Sequence, residues 1–141
     1  MSGIVEVRSY FRTNMDALGF REWKDGFNFE NIPETILDKA YHIETPSGSR
    51  RDVYDMQTQD VEMDVTVRLI RKGYRDPASG IDTTLVNLDA ILARTLASSR
   101  RIGTNIKNIA YSSHTVQPLA DSNDNAVLLE INFICFTIIC V

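Results

Sequence analysis

The chain has 141 residues, 43% hydrophobic and 24% charged, a size and balance that fit one globular domain and exclude disordered, collagen-like and coiled-coil architectures. A formal net charge of -4 speaks against a protein built to hold nucleic acid by neutralising phosphates, which needs a net basic face. The start Met1-Ser2-Gly3-Ile4-Val5-Glu6 lacks the basic and apolar runs of a secretory signal, and no apolar segment reaches membrane-spanning length, so a protein made in the cytosol is expected.

In chain order, Ile4, Val7, Phe11, Met15 and Leu18 recur at spacings of three and four and predict an amphipathic helix, with Ser2 as its cap and Gly19 as its stop. The aromatic segment 20–33 (Phe20, Trp23, Phe27, Phe29) has no period and reads as a loop or short strand over the edge of the core. Residues 35–45, between Pro33 and Pro46, suit a strand. The polar, Gly/Ser-containing stretch from about 46 to 59 reads as a mobile connection.

The clearest signal is 61–69, where Val61, Met63, Val65, Val67 and Leu69 alternate with Glu62, Asp64, Thr66 and Arg68. That is a strand with one buried and one wet face. Turn residues Gly73, Asp76-Pro77 and Ser79-Gly80 follow. A second helix is predicted from Asp82 as N-cap to Ser98, stapled by Ile81 and Val86, with Leu85, Leu88, Ile91, Leu92 and Leu96 turned inward and Arg100, Arg101 and Gly103 marking its end. Strands are expected at 106–116 and 126–140, separated by Pro118 and the turn-rich 121–125.

The last strand is apolar on both faces near its end and is long, on the order of 50 Å if straight. It is expected either to be broken by a bulge or to reach beyond the core toward another chain. The fold class that results is α+β, one domain over 1–141, with a mixed or antiparallel sheet of about four main strands packed with two helices.

The residues offer little for catalysis. His42 and His114 lie in no metal or nucleophile motif, and Ser113 and His114, as neighbours on a strand, point to opposite faces. Cys135 and Cys140 likewise face apart and read as buried free thiols. No phosphate-binding glycine motif occurs, so neither cofactor, metal nor catalytic residue is assigned. The row Asp60, Glu62, Asp64 reads as a solvated strand face or a functional acidic surface, its members being about 7 Å apart and so unable to enclose one ion alone. The residues Arg50, Arg51, Asp52, Tyr54, Arg71, Lys72, Tyr74 and Arg75, basic or aromatic except for Asp52, suit a contact with another subunit or partner better than one with nucleic acid.

The sequence of elements resembles the tail terminator (tail completion) proteins of long-tailed bacteriophages. The likeness is carried by the short amphipathic N-terminal helix, the strand after Ile32-Pro33, the alternating strand 60–71, the helix 82–98 after a turn and the long C-terminal strand 126–140. It implies a structural virion protein without a cofactor, made in the host cytoplasm and placed at the head-proximal end of the tail. There a hexameric ring of copies would cap the tail tube protein, stop its elongation and meet the head completion or connector protein. DNA would pass through without specific binding, and the row Asp60-Glu62-Asp64 would repel it if turned to the lumen. Competing readings are another neck or tail tube component, a secretion-system component or adaptor on a related scaffold, and a small-molecule-binding or enzymatic α+β domain, the last of which requires a pocket with convergent polar groups.

Overall fold

The computed structural model describes residues 3–23, 38–44, 47–53, 58–96, 106–119 and 125–140. In chain order these form α1 (Gly3–Ala17), β1 (Arg21–Glu22), β2 (Ala40–Ile43), β3 (Ser47–Val53), β4 (Thr58–Arg71), α2 (Pro77–Thr95), β5 (Ile106–Pro118) and β6 (Val127–Cys140). The strands make one sheet in the order β1-β2-β4-β6-β5, with β3 also paired to β4. β1 runs parallel to β2 and every other pairing is antiparallel.

The α+β class is as expected, but the sheet has six strands rather than about four. The four expected strands are present as β2, β4, β5 and β6. The additions are the two-residue β1 and, more informatively, β3. Ala40 to Ile43 lie opposite Ile70 to Val67, and Ser47 to Val53 lie opposite Asp64 to Gln59, so β2 and β3 follow one another along the same side of β4. Much of the connection expected over 46–59 is therefore a strand; residues 54–57 lie outside the described residues. Backbone hydrogen bonds to β4 suffice to order a polar segment at a sheet edge, where no apolar alternation is required.

β4 and β6 oppose each other without a register shift from Thr58 and Cys140 to Arg71 and Val127. The long last strand is thus paired along its whole length of about 46 Å with β4 of the same chain, and on its other side with β5. Irregularities fall on β5, between Ile106 and Asn108 and between Tyr111 and Ser113, and on β3, between Arg50 and Asp52.

Both helices pack on one face of the sheet. From α1 the stripe Val7, Phe11 and Met15 is buried, and it meets Tyr41, Ile43, Val65, Val67, Leu69, Leu129, Ile131 and Phe133 in the main core. The rings of Phe11 and Phe133 are 4.8 Å apart at their centroids. Gly19 follows the helix with φ of 88°, a left-handed conformation that costs glycine little. Tyr41 ties α1 to the sheet, its hydroxyl donating to Asp16 Oδ1 at 2.7 Å, and Arg8 and Arg12 both reach Glu22, at 3.2 Å and 2.8 Å. Tyr10 joins the two helices by donating to the Thr95 carbonyl at 2.7 Å.

α2 begins earlier than its predicted start at Asp82. Asp76 is the N-cap, its carboxylate accepting from the Ser79 backbone at 2.8 Å, and Pro77 occupies the first turn, where a missing N–H is harmless. Gly80, which reads as a turn residue, lies inside the helix and lets it press on the sheet: a Cβ would come within 2.9 Å of Val127 Cγ2. The buried stripe is Gly80, Thr84, Leu88, Ile91 and Thr95, with Leu92 and Leu96 half-buried against the core as expected, whereas Leu85 and Val86 are 39% and 66% exposed. Thr84 and Thr95 satisfy their hydroxyls on the carbonyls four residues back, each at 2.7 Å.

Candidate functional site

The second face of the sheet carries no described helix and is the chain's candidate working surface. The strand period assigns its residues. With Val61, Met63, Val65, Val67 and Leu69 buried toward the helices, Asp60, Glu62, Asp64, Thr66, Arg68 and Ile70 point the other way. Their opposite residues on β6 are Ile138, Phe136, Ile134, Asn132, Glu130 and Leu128. Directly opposed residues of an antiparallel pair share a face, so this surface falls into three zones.

At the β2 end Ala40, Ile70 and Leu128 form a small apolar cluster covered by Trp23 and Leu119. Trp23 thus performs the covering role expected of the aromatic segment, while Phe20 joins the main core and Phe27 and Phe29 lie outside the described residues. The middle is a cross-strand polar ladder. Thr66 Oγ1 donates to Asn132 Oδ1 at 2.8 Å, and Asn132 Nδ2 donates to Ser113 Oγ at 3.0 Å. Beside it Arg68 bridges Glu130, at 3.1 Å, and Glu44.

Arg68 is 14% exposed and separates two carboxylates. Arg68→Ala should lower unfolding free energy by about 2 kcal/mol, because it leaves Glu44 and Glu130 uncompensated in a partly screened site. Adding Glu130→Gln should recover part of that loss in urea unfolding; equal stability of the single and double variants would contradict this account.

At the far end the acidic row Asp60, Glu62, Asp64 runs beside an apolar row Ile138, Phe136, Ile134. Asp64 is exposed, and the other two acids and all three apolar residues are half-buried. The acids were visible in the sequence; the apolar row beside them was not, because its pairing needs the register of β6 on β4. The signal for it was the run of apolar residues on both faces of β6.

The residues expected at a partner contact separate into two places. Arg50, Arg51 and Asp52 lie on β3, with Arg50 opposite Val61. Tyr54 lies outside the described residues. Arg71, Lys72, Tyr74 and Arg75 lie at the junction of β4 and α2, roughly 33 Å further along β4. The junction group has internal work to do. Arg71 Nε reaches Asp38 Oδ1 at 3.1 Å, its guanidinium also contacts Asn87, and it lies 5.6 Å from the centre of the Tyr74 ring. The Lys72 backbone donates to the same Asp38 oxygen at 2.7 Å, and Asn125 Nδ2 donates to the Tyr74 carbonyl at 2.9 Å. Burial raises the Tyr74 phenol above the ordinary tyrosine range. Arg75 is exposed.

The histidines are apart. His42 Nδ1 is 3.3 Å from the Trp23 carbonyl, and His114 contacts the Tyr111 hydroxyl on β5. Ser113 binds Asn132 on the open face, whereas His114 lies opposite Ile131 on the helix-bearing face, so the two do not meet as a dyad. Among the described residues no three His, Cys, Asp or Glu side chains gather as a metal site. No helix among them is long and apolar enough to cross a membrane.

These surfaces define an α+β sheet protein in which, among the described residues, both helices lie on one face and the other face is patterned. No protein-family model matches the chain, and no curated protein matches it in sequence.

Proposed function

We propose that this chain is a structural assembly subunit, a tail terminator of a long-tailed bacteriophage, six copies of which close into a ring. The ring caps the tail tube, halts its growth and offers its other side to the head completion or connector protein. The observation that carries this reading is the asymmetry of the sheet among the described residues: two helices on one face, and on the other an acidic row and an apolar row side by side at the β3 end. A sheet face that mixes half-buried Ile and Phe with carboxylates suits contact with protein better than bulk solvent, since apolar side chains at the centre of a contact contribute most of its affinity. The resemblance in element order adds the kind of assembly.

The apolar row also bears on the suggestion that Asp60, Glu62 and Asp64 line a DNA passage. In this reading they form the rim of a protein contact whose centre is Ile134, Phe136 and Ile138, and the passage is lined elsewhere. Negative-stain microscopy with light scattering tests the ring. Six-fold rings are expected for the purified protein, alone or with tail tube protein. A monomer independent of concentration under both conditions would remove the reading.

A further inference from the structure

The sheet has two long edges whose outer sides have no neighbour among the described residues. β5 is the last strand of the order and pairs only with β6. On the other side β1 covers Ala40 and Tyr41 of β2, and β3 pairs only with β4. β5 is also poorly protected as an edge. Natural edges are kept from pairing by charged residues, proline, bulges or shortness. Lys107 is the one Asp, Glu, Lys or Arg in β5 and Pro118 its one proline, so the stretch 108–117 carries neither. The strand spans 13 residues, well over the usual length of about 5–6. Its two register shifts bend the edge locally without ending its pairing to β6, while β3 has one shift, between Arg50 and Asp52, and concentrates its charges there, leaving Ser47 to Ser49 uncharged.

The directions of the two edges match. β3 and β6 both run opposite to β4, and β5 runs opposite to β6. β5 therefore runs opposite to β3. Two copies set side by side in the same orientation bring β5 of one against β3 of the next in antiparallel sense, the more stable of the two ladders. Such a contact uses two different edges of the chain, is repeated by each added copy, and closes into a ring when the rotation allows.

We infer that β5 pairs edge to edge, antiparallel, with β3 of a second copy of this chain, so that the sheets continue from subunit to subunit. The inference deepens the ring reading and rests on it. It also assigns a place to the segment carrying Arg50, Arg51 and Asp52: a strand at the subunit boundary.

Disulfide trapping tests the contact. In a Cys140→Ser background, with buried Cys135 left in place, Ser47→Cys is combined in turn with Asn108→Cys, Ala110→Cys, Ser113→Cys, Thr115→Cys and Gln117→Cys. The assembled protein is then oxidised, run on a non-reducing gel and imaged from the same sample. The expected result is a ladder from dimer to closed ring for one or two neighbouring β5 positions, at least about tenfold above either single variant, as intermolecular pairing at close-set Cβ atoms requires. Dimers from a β5 variant alone would mean a two-fold contact of β5 with β5 and would overturn the inference. Rings in the images with no ladder from any pair would overturn it while leaving the ring reading in place. Absence of both rings and ladders, with tail tube protein added, would overturn both.

Discussion

Phe133→Ala should lower the unfolding free energy by about 3–5 kcal/mol, a large share of the roughly 5–15 kcal/mol that a domain of this kind possesses. Phe133 is 1% exposed at the middle of β6, the strand paired on both sides, and its ring packs on Phe11 of α1. Truncation opens a cavity bordered by elements that cannot close on it, because the unbroken β4–β6 ladder holds the strand in place. Phe11→Ala should cost a similar amount, and the two losses should fall short of additive by about 1 kcal/mol, the ring–ring term. Urea unfolding of the four proteins provides the cycle. A loss below about 1 kcal/mol for Phe133→Ala would mean that α1 is not docked on the sheet as described.

Stability should also fall steeply in alkali. Burial, with a smaller contribution from Asp64, pushes the Cys135 thiol from 9.0 up to about 12. Burial likewise raises the Tyr41 phenol well above its ordinary 10.0, helped by its hydrogen bond to Asp16. In both cases the folded chain keeps a proton that the unfolded chain releases, so the unfolded state binds fewer protons and stability decreases as pH rises. The full contribution is present below pH 9, the loss from Cys135 runs from there to about pH 12, and that from Tyr41 starts near pH 10. Each group contributes a slope of about 1.4 kcal/mol per pH unit while its two states differ. Cys135→Ala should flatten the limb from pH 9 upward and Tyr41→Phe from pH 10 upward, read as denaturant midpoints against pH. A limb unchanged in both variants would exclude these groups as its source.

Much of the fold was legible in the sequence because two periods were clean. The alternation Val61 to Leu69 specified both a strand and its buried face, and Val7, Phe11 and Met15 did the same for α1. The start of α2 was misplaced because Asp76-Pro77 and Ser79-Gly80 carry turn chemistry as well as helix-start chemistry. In the structure Asp76 and Pro77 start the helix, and Gly80 within it admits a close approach to Val127, a residue 47 positions away in the chain. β3 was illegible for a different reason. Ser-Gly-Ser-Arg-Arg-Asp-Val has no apolar alternation, and it is a strand because β4 extends beyond β2 and offers it a backbone ladder.

The candidate surface divides in the same way. That Asp60, Glu62 and Asp64 share a wet face follows from the strand period alone, and the charge-poor run of β5 is readable directly. That the acids lie beside Ile138, Phe136 and Ile134, that Arg50 on β3 and Arg71 on β4 lie far apart along the length of β4, and that β5 and β3 are antiparallel edges all depend on register and strand order. By itself the sequence determined which residues could form strands and helices and which faces would be apolar, since those are properties of near neighbours in the chain. Only the tertiary structure decided which strands lie side by side, because residues far apart in the chain become opposite neighbours only once backbone hydrogen bonds set their pairing.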